Sequence, residues 1–291
     1  IKTSTFTAAN GEGYFVDTSS GGFTVNMPAS PSAGNIVAFC DYAGVAATNN
    51  ITIDRNSSPF QGGTSNGVLD KNREAVTFVY VDGTQGWVPV NDNAEIKEPA
   101  QFVAATGGTV TTVDTDFKVH TFTGPGTFCV SSAGNAEGSS TVSYVVIAGG
   151  GSGTNNRGGG GGAGGYRESK AASDSYTASP LNATSGPTYN LPVTATGFPI
   201  VVGGGGASIP APPSNVPGIN GSNSSFSTIT SAGGGGGHYS PSPSPTPGVG
   251  SAGGSGGGSG YPSKAGGAGN TPPTSPPQGN PGGNTCSSGN S

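Results

Sequence analysis

Four stretches of this chain are nearly pure glycine, and three of them follow a short run of β-branched and aromatic residues. Glycine has the largest conformational entropy to lose on folding, so an isolated glycine run behaves as a flexible linker. A linker has no reason to follow a strand three times over. The repeat therefore predicts that the runs are packed, as extended threefold helices of the polyproline II type that lie backbone against backbone. The runs are 149–151, 203–206, 233–237 and 253–260, and the strand-like stretches 144–148, 198–202 and 227–232 precede the first three.

Composition divides the chain near residue 149. Of the 56 glycines, 39 follow residue 148, and only four Lys or Arg and two Asp or Glu lie in that half. So few apolar and charged groups cannot build an ordinary hydrophobic core, which predicts that backbone hydrogen bonds and contacts in an oligomer hold this half together. The net charge of −5 argues against a nucleic-acid partner. No apolar run approaches the roughly 18 residues of a membrane span, so no membrane insertion is expected.

The first half of the chain has the pattern of an all-β protein. Apolar and polar residues alternate with a period of two, and clusters of Gly, Ser, Asn and Pro separate the runs. We expect a β-sandwich or barrel-like module over 1–92, a linker over 93–99 and a small β-sheet base over 100–148. The start at Ile1 and the low-complexity end at Ser291 predict a piece of a longer protein. The strand-like runs are 23–27, 36–39, 51–53, 76–81, 87–90, 109–111, 117–122, 126–130 and 143–148.

Within 100–148, the small turn at Gly124-Pro125-Gly126 predicts a hairpin between 117–122 and 126–130. From residue 149 to 291 we expect a bundle of polyglycine II rods that alternate with loops. The predicted loops are 166–196, 207–226, 238–249 and 261–279.

The sequence contains no motif of catalysis or cofactor binding in which the neighbouring residues also fit. Residues 253–257 fit the G-x-S-x-G pattern, but that elbow needs a following helix and a later histidine, and both His120 and His238 come earlier. No glycine is followed by lysine, so no phosphate-binding loop is present. Two isolated histidines and no Cys-x-x-Cys give no metal-ligand spacing. The sequence therefore predicts a protein that is not an enzyme and that has no cofactor and no metal site.

Aromatic residues stand directly beside the glycine runs. Each is either a packed ring that closes the end of a rod or a contact with sugar or protein at a tip, because aromatic rings stack on ligand faces at low entropic cost. The candidate receptor contacts are His238, Tyr239, Tyr261, Tyr166 and Arg167.

Two passages carry a resemblance to known families. Residues 13–31, 50–53 and 78–87 resemble a β module of structural proteins in marine tailed phages. Residues 117–122 and 144–151, together with 161–167 and 221–226, are similar to the glycine-rich domain of phage tail fibres. This resemblance implies a homotrimeric fibre whose polyglycine II bundle holds loops against the host receptor. The Pro-Ser tract 240–247 and the proline-rich tail 271–281 depart from the family pattern.

The sequence and the resemblance together predict a virion structural protein on the particle surface, a tail fibre or adhesin component. Its expected partners are other virion proteins and a host surface glycan or outer-membrane protein. The alternatives are a capsid decoration or head-fibre protein and a filament protein of the cellular extracellular matrix.

Overall fold

A computed structural model describes residues 1–91, 97–155, 158–186, 188–210, 216–239, 248–260 and 264–285. These residues form no helix, and about 32% of them are in strands, which confirms the all-β fold class. The chain divides into two compact units. The first unit comprises 1–101 and 135–138, and the second comprises 102–134 and 139–291.

The first unit consists of two four-stranded sheets, between which the chain passes repeatedly. One sheet has the order β1-β3-β5-β6 and the other β2-β4-β7-β8, so the first five strands alternate between the sheets. This alternation makes the β1–β3, β2–β4 and β3–β5 pairs parallel. The strands are β1 Phe6–Thr7, β2 Glu12–Val16, β3 Phe23–Asn26, β4 Ile36–Asp41, β5 Ile51–Asp54, β6 Gly67–Leu69, β7 Ala75–Tyr80 and β8 Trp87–Pro89.

The two sheets of the first unit share one hydrophobic core. Val37 and Phe39 alternate with outward residues along β4, as a half-buried strand requires, and Ile51 and Ile53 do the same along β5. Trp87 is fully buried in this core. The expected β-sandwich is therefore present, and it has an apolar interior of its own.

The second unit contains two sheets, whose strands lead into or out of the glycine runs, and two small two-stranded ribbons. The main sheet has the order β20-β19-β18-β12-β9, and the second sheet has the order β14-β15-β16. Phe128, Val146, Phe226 and Ile229 belong to the core cluster that these sheets share. The ribbons are β10-β11 and β13-β17. The strands are β9 Val103–Thr106, β10 Thr109–Val113, β11 Phe117–Thr121, β12 Gly126–Ala133, β13 Thr141–Val142, β14 Tyr144–Ile147, β15 Tyr166–Ser169, β16 Asn182–Ala183, β17 Leu191–Pro192, β18 Gly197–Val201, β19 Ser224–Phe226 and β20 Ile229–Ser231.

The predicted hairpin around Gly124 is wrong. β11 pairs with β10 across a turn at Asp114 and Thr115, both of which adopt positive φ. β12 pairs instead with β9 and β18. The Gly-Pro-Gly turn signal was correct, but it marks a change of sheet and not a hairpin.

The glycine runs form an array of extended segments in which no strand is assigned. Strands β14, β18 and β20 run directly into three segments, and two further segments run directly into β15 and β19. The expected succession of strand and glycine run is therefore present. The segments are I (148–155), II (158–165), III (202–209), IV (216–223), V (232–239), VI (248–254), VII (255–260), VIII (264–270) and IX (278–285).

Hydrogen bonds between neighbouring segments recur at every third residue. The N–H groups of Ala148, Gly151 and Thr154 in segment I donate to carbonyl groups of segment II, in antiparallel order. The acceptors are the carbonyls of Gly165, Gly162 and Gly159. The same step of three joins segment II to segment V and segment V to segment VII. Successive residues therefore point their polar groups in three different directions around each segment.

Segment V lies at the centre of the array. From Gly233 to Gly237 every residue is buried, and every backbone N–H and C=O takes part in a hydrogen bond. The partners come from segments I, II, IV, VI and VII. A buried backbone polar group without a partner costs free energy, so buried segments need a hydrogen bond at every N–H and C=O. Segment V has all of these hydrogen bonds although it is not part of a β-sheet.

The close approach of these backbones requires glycine. A Cβ on Gly235 would overlap the carbonyl oxygen of Ser251, and one on Gly234 would overlap that of Gly162. The same holds at Gly233, Gly236 and Gly237. The glycine content of segment V is therefore set by packing.

Side chains supply the acceptors that neighbouring segments do not. The Oδ1 atoms of Asn223 and Asn220, three residues apart, accept the N–H of Gly233 at 2.9 Å and of Gly236 at 2.7 Å. The fully buried Gln278 accepts the N–H of Ala232 at 2.7 Å. These amides take the positions that carbonyls of a further segment would otherwise occupy.

We predict that Gly235→Ala lowers the free energy of unfolding by about 2 kcal/mol or more, because its methyl group has no space between backbones. Thermal and denaturant unfolding measure the effect. The control is Gly283→Ala, since a Cβ at Gly283 meets nothing within 4 Å. Equal stability of the two variants would show that the glycine runs are unpacked linkers.

We predict that Asn223→Leu costs about 1–3 kcal/mol, because it leaves the Gly233 N–H buried without an acceptor. Asn223→Asp keeps an acceptor oxygen, and we expect it to retain most of the stability. Denaturant unfolding of both variants gives the comparison. An equal loss in both would mean that the acceptor is not what segment V needs.

Candidate functional site

The end of the array opposite the sheets is here called the distal end. The residues that flank four connections between segments lie there. Segment I passes to II there, III to IV, V to VI and VII to VIII. Hydrogen bonds hold the flanking residues together: Asn155 Nδ2 donates to the Pro210 carbonyl at 2.8 Å, and Ser259 Oγ donates to the Lys264 carbonyl at 2.8 Å. The array therefore brings the residues that flank four chain connections to one end.

His238 and Tyr239 end segment V at the distal end. Their rings are stacked, with an angle of 4° between planes and 5.5 Å between centroids. The backbone N–H of His238 donates to Gly258 and its carbonyl accepts from Gly159, so the pair is fixed to two neighbouring segments. The ring atom Nδ1 lies 2.7 Å from the Tyr239 carbonyl. Both side chains are half-buried. The rings therefore pack against the end of segment V and also leave part of their aromatic surface accessible to a ligand.

Charge is scarce among the described residues of the distal end. Among the described residues from 148 to 285, Lys264 is the only charged residue there. The other charged residues in that part lie close together in sequence, at Arg167, Glu168, Lys170 and Asp174. Ligand contacts at the distal end would therefore depend on aromatic rings, hydroxyl groups and backbone.

Tyr166 and Arg167 lie at the opposite end of the array, in β15. The Tyr166 N–H donates to the Gln278 carbonyl at 2.9 Å, and Arg167 pairs with Val146 of β14 and is only 8% exposed. The candidate residues therefore do not form one site. Tyr261 and the tract 240–247 lie outside the described residues.

The predicted loop 166–196 is wrong as a loop. It contains β15, β16 and β17 and lies at the sheet end of the array. The predicted loops 207–226 and 261–279 likewise contain segments of the array, namely IV and VIII. The fourth predicted loop, 238–249, lies mostly outside the described residues and stays a prediction.

A comparison with family models found a match that covers most of the second unit. A model described as a glycine-rich domain matches residues 123–291, which is more than half of the chain. The chain belongs to the glycine-rich domain family. No curated protein matches it. The matched region begins just before β12, so it comprises the main sheet except β9 together with all nine segments of the array.

Sequence reasoning missed a polar cluster at the sheet end of the glycine-rich domain. Glu168 is 3% exposed, and its Oε2 accepts hydrogen bonds from both the backbone N–H and the hydroxyl of Ser179. Burial raises the pKa of Tyr176 to about 12, and the negative charges of Glu168 and Asp174 add to this shift. Lys170 Nζ lies 5.5 Å from the centre of the Tyr176 ring. These contacts hold the stretch of chain between β15 and β16 in place. No local sequence motif indicates the cluster.

No metal-binding group and no membrane-spanning helix is found in the part of the chain that the structure describes. No three His, Cys, Asp or Glu side chains come together there as a cation site. No helix there could cross a membrane.

Proposed function

We propose that this protein is a structural component of a virion fibre or adhesin, and that its glycine array carries the receptor-binding connections at the distal end. The observation that carries the proposal is the gathering of four connections at one end of a packed array, opposite the sheets. A rigid support of this kind presents short stretches of chain at low entropic cost, which is what a receptor-binding tip requires.

We further propose that the segments are polyglycine II helices. The step of three residues between successive hydrogen bonds equals the repeat of a polyproline II helix. No glycine of the nine segments has a φ between +20° and +160°, as a left-handed threefold helix with negative φ requires. The resemblance of residues 144–151, 161–167 and 221–226 to tail-fibre domains supports the same conformation.

The distal end is suited to recognition rather than to chemistry, and the proposed role is not enzymatic. A surface poor in charge with a stacked His238–Tyr239 pair fits the apolar face of a neutral sugar or an exposed loop of an outer-membrane protein. The proposed location is the particle surface. Many weak contacts from several copies, in a homotrimer as the resemblance implies, would combine into strong attachment.

Two other roles share most of these features. A capsid decoration or head-fibre protein would carry the same array on a different attachment, and an extracellular filament of a cell would use it without a host receptor. Adsorption to host cells distinguishes the adhesin from both, because only an adhesin binds cells through the distal end.

We predict that Tyr239→Ala lowers binding of the purified protein to intact host cells by roughly tenfold or more, as truncation of a central aromatic contact does. A second variant exchanges 240–247 for a Gly-Ser segment of equal length and is expected to abolish binding. The measurement is binding of labelled protein to cells, with competition by unlabelled protein.

The matched control is Tyr42→Ala, which removes an exposed aromatic side chain from the first unit and is expected to leave binding unchanged. If both distal variants bind cells as the wild type does, the protein has a structural role and does not bind a receptor through its distal end. Equal loss in all three variants would show that binding does not depend on the distal end.

A further inference from the structure

Segment I has fewer neighbours than its backbone can accommodate. A threefold helix directs three rows of N–H groups and three rows of C=O groups around its axis, so it can take six neighbours. Two N–H rows of segment I are used, since Gly151 donates to segment II and Gly149 to segment IV. The third row, Gly150 and Gly153, has no acceptor among the described residues.

The carbonyl rows of segment I show the same incompleteness. Gly149 accepts from segment V and Gly150 accepts from Gly206 of segment III. No donor among the described residues reaches the carbonyls of Gly151 and Thr154. Segment I therefore contacts segments II, III, IV and V, and two adjacent positions between II and III hold no segment of the described residues.

The glycines around these empty positions have no reason within the chain to be glycine. A Cβ at Gly160 or Gly204 meets nothing within 4 Å, and at Gly153 the nearest atom is 3.7 Å away. Their φ values are not in the left-handed region either. A residue with a side chain would cost less conformational entropy at such positions, so these glycines indicate that another backbone approaches here. We call the surface formed by Gly150, Gly153, Gly160, Gly204 and Gly205 the open face.

We propose that the open face binds the open face of a second copy of this chain. The row of N–H groups at Gly150 and Gly153 needs acceptors spaced three residues apart on a backbone without side chains. The same empty positions of a second copy offer such a row, because the carbonyls of Gly151 and Thr154, three residues apart on its segment I, also lack a donor among the described residues. One surface carries both halves of the contact, as a twofold interface between identical chains requires.

This pairing extends the packing of the array across two chains. It gives partners to backbone groups that have none among the described residues and surrounds segment I as segment V is surrounded in the interior. It is independent of receptor binding, because the open face lies along the side of the array and the connections lie at its distal end.

The test compares glutamine substitutions on and off the open face in the full chain. Gly160→Gln and Gly204→Gln place side chains on the open face, where the isolated chain has room for them. Gly283→Gln does the same on segment IX, at a glycine whose Cβ site is equally empty. Analytical ultracentrifugation at one protein concentration gives the mass, and near-ultraviolet circular dichroism reports the fold.

We predict a twofold fall in mass for Gly160→Gln and Gly204→Gln with an unchanged circular dichroism spectrum, and the wild-type mass for Gly283→Gln. The fall is twofold for a chain that is otherwise a monomer, and it is also twofold, from six chains to three, where the first unit holds three chains together. An unchanged mass in both face variants would overturn the proposal. So would loss of the folded spectrum, because it would mean that this chain itself already covers the open face.

Discussion

The second half of the structure depends on the complete hydrogen bonding of one buried glycine segment. Every backbone N–H and C=O from Gly233 to Gly237 has a partner, although none of these residues belongs to a β-sheet. This arrangement requires neighbouring backbones in several directions at once, which a flat sheet cannot supply and a threefold helix can. It also excludes side chains, because a Cβ at any of the five positions would overlap a neighbouring carbonyl.

An array built mainly of glycine has no hydrophobic core of its own, and the sheets supply one. Strands β14, β18 and β20 lead from the core around Phe226 and Ile229 directly into segments I, III and V. Their fixed spacing brings the first residues of the segments into register, which lowers the entropic cost of ordering the glycines. Gln278 joins the two regions, since its side chain binds Ala232 and its carbonyl binds Tyr166.

Features that arise from a repeated sequence pattern could be predicted from the sequence. Features that depend on single residues or on very short strands could not. Glycine runs after strands, and the alternation of apolar residues in the first unit, gave the all-β class and the packed runs. The short strands β16 and β17, two residues each, carry no periodic signal, so the sequence indicated a loop there. The role of Asn220 and Asn223 was equally hidden, because asparagine in a Gly-Ser context predicts a turn. The distal end was predictable only in part: His238 and Tyr239 lie there, whereas Tyr166 and Arg167 lie at the sheet end.

Residue-specific amide hydrogen exchange tests the central claim most directly. If backbone hydrogen bonds between segments hold the array, the amides of Gly233 to Gly237 exchange as slowly as those of the buried core strand β20. The amide of Gly124, a glycine with open space around it, serves as the fast reference within the same unit. Exchange of Gly233 to Gly237 at the rate of Gly124 would contradict the account, because it would show that the glycine runs are solvated linkers.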